Sequence, residues 1–279
     1  MTVSFLAITI PFSPVALQLG PVSIRWYGIA YAVAFLVGGR LALAHARRRG
    51  IPAEAANSII FWGIAGGLIG ARLYFVVQSG VLWYLTHPQH IFAFWEGGMA
   101  YFGAIFAALL VVIIASQRLH LNFWILLDAA ALFAAAGQPI GRIGNIMNGE
   151  ILGPQSNLPW AFVYTNPHSM AAHLGVPYQP AAAYEGLAAL LILGLLLLVR
   201  RRAVPDGFLG LSYIAMYSIS QLVVFFWRTD YETPVIWLGL RQAQLTSIAV
   251  LLLVVAPVGY FWWRSIKGRR DAPLEVTRA

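Results

Sequence analysis

Seven stretches of this 279-residue chain are strongly apolar, nearly free of charge and about as long as a bilayer is thick. They run over 23–44, 57–78, 99–116, 122–142, 181–199, 208–228 and 242–263. A helix needs about 20 mostly apolar residues to cross the hydrocarbon core. Only 10% of the chain is charged, whereas a soluble domain carries about 25%. The mean hydropathy is +0.74, too high for a water-soluble surface. The sequence therefore predicts an all-α integral membrane protein with seven transmembrane helices.

The basic residues set its orientation. Arg47, Arg48 and Arg49 follow the first span, Arg118 the third, and Arg200, Arg201 and Arg202 the fifth. Arg264, Lys267, Arg269, Arg270 and Arg278 follow the seventh. The alternate loops, 79–98, 143–180 and 229–240, contain no Lys or Arg. Basic residues flanking spans stay on the cytoplasmic side, so the N-terminus is expected outside and the C-terminus inside. The net charge of +8 then reflects orientation, and no nucleic-acid partner is expected. The whole chain, 1–279, reads as a single membrane domain. Residues 1–22, broken by Pro11 and Pro14, read as an external arm without the basic start of a signal peptide. Residues 143–180 read as a small external head. There is no cysteine, so no disulfide, Cys-based metal site or thiol nucleophile is available.

Arg25, Arg72, Arg142, Arg228 and Arg241 run against this distribution, falling in the outer third of the membrane or at its outer edge. Arg72 sits roughly 9 Å below the outer end of its helix at helical rise. Snorkelling toward outer headgroups accounts for Arg25 and Arg241. Arg72, Arg142 and Arg228 point to function. A guanidinium is always charged and grips phosphate through two parallel donors, so a lipid-phosphate site is the natural expectation.

The polar residues are densest over 141–153, where the fourth span is expected to leave the membrane. Intramembrane polar groups are costly and mark function by default. Asn145 and Asn148, spaced i, i+3, share a face if the helix continues that far. They either contact a ligand or cap the helix. Glu150 either pairs with an arginine such as Arg142 or acts as a base, and Glu185, at the start of the fifth span, has the same two readings. Gly149 and Gly153 permit unusual backbone angles or a close approach. Gly63, Gly66, Gly67 and Gly70 read instead as helix packing, and Asp128 as a structural hydrogen-bonding partner. His168 and His173 lack the companions of a metal site, so neither metal nor cofactor is expected.

The run Gly141, Arg142, Gly144, Asn145, Asn148, Gly149, Glu150, Gly153 resembles the signature of the bacterial prolipoprotein diacylglyceryl transferases. Further matches follow in chain order: Gly20-Pro21, Arg25 to Gly28, Gly70 to Tyr74, Trp95 to Met99, Tyr184-Glu185, and Phe226 to Arg228. The resemblance implies seven membrane helices with an external head. It implies transfer of a diacylglyceryl group from phosphatidylglycerol to the lipobox cysteine of a prolipoprotein, next to its signal peptide, with release of glycerol phosphate. The chain is then expected in the bacterial cytoplasmic (inner) membrane, with its active site toward the outer leaflet.

Carried over residue by residue, the resemblance gives Tyr27, Arg142, Glu150 and Arg228 catalytic roles. Substrate binding falls to Arg72, Asn145, Asn148, Gly149, Gly153 and Glu185. The chain departs from the family at Phe102, where a histidine is common, at Phe225, where a glutamate is common, and at Gln221, in place of an arginine. In the block before Tyr184, Gln179 stands in place of a histidine. Phosphate held by Arg142 and Arg228, and a thiolate stabilised by the same cations, make a mechanism without histidine. The alternative is a catalytically altered member, or a protein that binds or transports lipid or an anionic solute. Against transport, little polar pathway is visible through the inner half beyond Asp128.

Overall fold

The computed structural model describes residues 7–20, 22–93, 97–229 and 235–270, without the side chains of Val22, Tyr101 and 264–270. Eight α-helices carry the described chain. They are α1 (Trp26–Arg48), α2 (Ala53–Gln78), α3 (Val81–Thr86), α4 (Tyr101–Arg118), α5 (Phe123–Asn148), α6 (Ala181–Arg200), α7 (Phe208–Val224) and α8 (Gln242–Arg270). Their causes are local. α6 opens after Pro180 on alanines and continues through leucines, among the strongest helix formers. α5 opens on Asn122, whose Oδ1 accepts the Trp124 amide at 2.9 Å in the manner of an N-cap.

Among the described residues, six stretches are long and apolar enough to cross a membrane: α1, α2, α5, α6, Phe208–Trp227 and Gln242–Trp263. The predicted third span corresponds to α4, which is shorter. The fold is mostly helical, yet not purely so. β2 (Val15–Leu19) and β3 (Val22–Arg25) form a hairpin leading into α1. β6 (Val235–Trp237) and β7 (Leu240–Arg241) form another before α8. β1 (Ile8–Ile10) pairs in parallel with β4 (Phe162–Tyr164), which pairs antiparallel with β5 (Pro177–Tyr178). The predicted arm and head thus share one sheet, because the Pro-rich segments between them still leave short strand-competent runs.

The chain divides into two compact units, Met1–Gly38 with Ala131–Ala279, and Gly39–Ala130. In the second unit, α2 and α4 pack through their small residues. A Cβ on Gly70 would lie 2.6 Å from the Gly103 carbonyl, and one on Gly66 would lie 3.1 Å from Val111. Gly63, by contrast, faces open space. Asp128, fully buried, lies 3.9 Å from His45 Nε2, a buried partner as the sequence predicts.

In the first unit, α1 meets α5 through Gly38, Gly137 and Gly144. A Cβ on Gly144 would come within 3.0 Å of Ala30 and 3.3 Å of the Tyr27 Cα. The head packs around Leu152, Tyr164 and Tyr178. The Tyr164 hydroxyl donates to the Ile146 carbonyl at 2.9 Å. Burial pushes this phenol well above the ordinary tyrosine range, so it stays a neutral donor holding the head to the end of α5.

Candidate active site

The polar stretch 141–153 does not begin where the helix ends. α5 continues to Asn148, and Gly149 follows with φ +80°. The Glu150 amide donates to the Asn145 carbonyl at 3.0 Å and the Gly149 amide to the Ile146 carbonyl at 3.2 Å. This pair of bonds is a Schellman cap, which satisfies the last helical carbonyls with backbone donors. The cap therefore belongs to Gly149, and the asparagine side chains are directed elsewhere.

Asn145 and Asn148 do share a face, and both converge on Glu150. Asn145 Nδ2 donates to one carboxylate oxygen at 2.9 Å and Asn148 Nδ2 to the other at 2.7 Å. Both asparagines are buried. Arg142 Nη1 in turn donates to Asn145 Oδ1 at 3.1 Å. The expected pairing of Glu150 with Arg142 is thus indirect, with an amide between the two charges.

The direct acidic partner is Glu185, on the first turns of α6. Its carboxylate lies 2.6 Å from Arg142 Nη2 and 3.3 Å from Arg228 Nε. Its side chain is only 2% exposed. Gly186 gives Arg142 its room, since a Cβ there would lie 3.3 Å from the Arg142 Cβ. Arg228 leaves the short 3₁₀ turn Phe225–Trp227, and its guanidinium sits 5.2 Å over the Phe225 ring. The two cations sequence reasoning singled out, 86 residues apart in number, therefore converge on one buried carboxylate. The triad carries one net positive charge. A pocket with about 10 Å³ of free space, the room of about one water, adjoins it and is lined by Arg142, Glu185, Gln138, Gln221, Tyr217 and Ser220.

Gly153 couples this cluster to the stretch around Asn145. Its amide donates to the Gln179 carbonyl at 2.8 Å. A Cβ here would lie 2.5 Å from the carbonyl of Trp227, the residue before Arg228. The close approach expected of Gly153 is to protein backbone. Tyr27 donates to the Tyr31 hydroxyl at 3.1 Å, packs over Gly144, and lies within electrostatic range of Glu150 and Arg142.

Two arginines behave differently from the expectation. Arg241 does not snorkel. It is 8% exposed, donating Nη2 to the Arg228 carbonyl at 2.8 Å and Nη1 to that of Thr229 at 3.0 Å. Its backbone amide donates to Gln244 Oε1 at 3.0 Å, and Gln244 Nε2 donates to Leu222. Sequence reasoning missed Arg241 as a brace. Its signal was the one that singled out Arg228, a basic residue on the side where the loops have none.

Arg72, in the other unit, is 2% exposed. Its donors go to the carbonyls of Ile91 at 3.0 Å, Gly98 at 3.1 Å and His90 at 2.5 Å, and to that of Gly97. The phosphate-binding expectation for Arg72 meets a guanidinium already engaged by its own loop. Pro21, Trp95 and Glu96, part of the sequence matches, lie outside the described residues. Phe102 stacks on Phe106, ring centroids 6.3 Å apart.

Comparison with known proteins gives a consistent result. The family model described as prolipoprotein diacylglyceryl transferase matches residues 14–262. A protein of Listeria welshimeri named phosphatidylglycerol–prolipoprotein diacylglyceryl transferase is 34% identical over 260 residues, covering 92% of this chain and 91% of its own. Proteins of the same name from Halalkalibacterium halodurans and Trichormus variabilis are 34% and 32% identical over 263 residues. Those alignments cover 92% and 90% of this chain and 88% and 90% of the relatives.

Proposed function

The chain belongs to the prolipoprotein diacylglyceryl transferase family, and we propose that its Arg142–Glu185–Arg228 triad is the phosphate-holding centre of that transfer. The chain is a transferase acting in lipoprotein biosynthesis. It moves a diacylglyceryl group from phosphatidylglycerol to the lipobox cysteine of prolipoproteins and releases glycerol phosphate. The observation that carries the site assignment is the convergence of Arg142 and Arg228 on the Glu185 carboxylate. A carboxylate between two guanidinia occupies the kind of position a phosphate oxygen takes. The net charge of the triad also matches the single negative charge of a phosphodiester.

The chemistry then runs as follows. A cysteine thiol has a pKa near 8.5, which neighbouring cations lower. The sulfur attacks the diacylglyceryl carbon that bears the phosphate ester. As the S–C bond forms, the C–O bond breaks, and its electron pair leaves with glycerol phosphate. Arg142 and Arg228 stabilise the charge that grows on that leaving group, in fixed positions before the reaction begins. Glu150 takes the thiol proton. Each of its oxygens receives an amide donor, and a carboxylate offers about four acceptor sites in all.

Asn145, Asn148 and Gly149 hold Glu150 in place, and Tyr27 lines the approach. Gly153 sets the Trp227–Arg228 backbone. Arg72 contributes by ordering the loop around His90 and Gly97 in its own unit. On this reading α4 crosses as the third of seven spans, with the N-terminus outside and the C-terminus inside. The site then faces the outer leaflet of the bacterial cytoplasmic membrane. The support is the placement of Lys and Arg in alternate loops.

The test is direct. Purified chain, phosphatidylglycerol and a lipobox peptide yield lipidated peptide and glycerol phosphate. Lipid binding without either product sinks the catalytic reading in favour of a lipid-binding member.

A further inference from the structure

Beyond Glu150, the polar network ends on an exposed apolar side chain. Met170, in the head, is 57% exposed. Its amide donates to the Asn148 carbonyl at 2.9 Å, and its sulfur accepts from Asn148 Nδ2 at 3.2 Å. A thioether is a weak acceptor, so the backbone bond sets the position and the sulfur completes it. Asn148 Oδ1 meets no donor among the described residues, so this amide is oriented by its two acceptors, Glu150 and Met170.

The segment that carries Met170 is fixed at both ends. Asn166 Nδ2 donates to the Pro11 carbonyl at 3.3 Å, and Asn166 Oδ1 accepts the His168 amide at 2.9 Å. At the other end, Ser169 and Met170 lie against the glycine that caps α5. A Cβ on Gly149 would run into Ser169 Oγ and stand 3.3 Å from the Met170 nitrogen. Met170 is therefore presented at a defined place.

That place is beside the proton acceptor. Glu150 is only half-buried, and so open to a substrate. Asn148 Nδ2 lies 2.7 Å from a Glu150 carboxylate oxygen and 3.2 Å from the Met170 sulfur, so oxygen and sulfur are at most 5.9 Å apart. Consecutive Cα atoms of a peptide are about 3.8 Å apart. A peptide whose thiol stands at Glu150 thus brings a neighbouring residue to Met170. The order of contacts separates the two substrates. Arg142 reaches one carboxylate oxygen through Asn145, whereas Met170 reaches the other through Asn148. The lipid phosphate belongs to the arginine end and the peptide to the methionine end.

We infer that Met170 is the contact for the residue that follows the acceptor cysteine, and that it sets which precursors are lipidated fastest. The inference rests on the transfer reading above, with the head outside the membrane and the signal peptide within it. The residue that meets the head is then on the mature side of the cysteine. A methionine suits this task, because its unbranched thioether adapts to side chains of different shapes.

The experiment charges the contact. Met170→Asp and Met170→Lys are compared with the wild-type chain on phosphatidylglycerol and two lipobox peptides, with lysine or aspartate immediately after the cysteine. Between charges about 6 Å apart, the swing from attraction to repulsion is about tenfold even at the dielectric constant of water. Relative to wild type, the ratio of kcat/KM for the lysine peptide to that for the aspartate peptide is expected to rise about tenfold in Met170→Asp. It is expected to fall about tenfold in Met170→Lys. Any change in the proton affinity of Glu150 acts on both peptides alike and cancels in the ratio. A ratio within about twofold of wild type in an active variant, or shifted the other way, overturns the assignment. A larger shift when the charges precede the cysteine also overturns it, giving the contact to the signal-peptide side. Inactivity of both variants on every peptide overturns it too, leaving Met170 as a support for Asn148 alone. No product from the wild-type chain with any peptide overturns the transfer reading itself, and this assignment with it.

Discussion

Gly153→Ala is the substitution that most sharply separates a positioned site from a collection of polar residues. The new Cβ would lie 2.5 Å from the Trp227 carbonyl oxygen, 2.9 Å from Gln179 Cβ and 3.2 Å from the Gln179 carbonyl. Two of the three are backbone atoms. Real Cβ contacts closer than 3.0 Å essentially do not occur, so at least half an ångström has to open between residue 153 and Trp227. Arg228 is the next residue, and its guanidinium is placed by Glu185 and the Phe225 ring. A shift of about 1 Å in a reacting or binding group costs up to about 100-fold in rate. Overpacking itself destabilises by about 1–3 kcal/mol.

The matched control is Gly141→Ala, in the same signature. There a Cβ would meet only the Tyr31 ring, at an ordinary 3.9 Å. Removing a mid-helix glycine from α5 gains up to about 1 kcal/mol of helix propensity. In the peptide-lipidation assay, Gly153→Ala is expected to lose about two orders of magnitude in kcat/KM while the protein still folds. Gly141→Ala is expected to stay within about twofold of wild type, since no atom has to move. Gly153→Ala at wild-type activity, or equal damage from both, would refute the claim that residue 153 positions Arg228 through backbone contact.

Arg142→Ala and Arg228→Ala each abolish transfer. Arg228→Lys loses most of it, because an ammonium lacks the two-donor fork; full activity in Arg228→Lys would exclude a bidentate phosphate grip. Glu185→Ala leaves two guanidinia without their shared carboxylate and lowers unfolding stability by about 3 kcal/mol, the low end for a broken buried pair, because Arg142 is 22% exposed and keeps its bond to Asn145. A midpoint unchanged in thermal or denaturant unfolding would contradict that. Arg241→Ala removes two charge-assisted bonds to the Arg228–Thr229 carbonyls, each worth about 1.5–3 kcal/mol. Its expected signature is a fall in kcat greater than the rise in lipid KM. Phe102→Ala is expected to leave kcat within about threefold, since Phe102 stacks on Phe106 and a stacked aromatic pair contributes only about 0.5–1.5 kcal/mol.

The membrane class and the apolar helices were legible in the sequence because hydrophobicity over about 20 residues is a local property. The helix ends were less so. α5 runs to Asn148 because a Gly149 with positive φ completes a backbone cap, and the polarity of residues 141–148 hid that continuation. The short strands of the arm and head escaped notice for a related reason. Strands of two to five residues carry too few alternating positions to signal themselves.

Partner choice was the part that sequence left open. Arg142, Arg228, Glu150 and Glu185 were all recognisable as chemistry-bearing, yet their spacing along the chain did not say which acid meets which base. The fold gives Glu185 to both arginines and gives Glu150 to two asparagines. It likewise buries Arg241 against the Arg228 backbone and commits Arg72 to its own loop. Composition and periodicity act over one or two helical turns. Pairings between residues tens of positions apart depend on how helices and loops are brought together, and only the tertiary structure decided them.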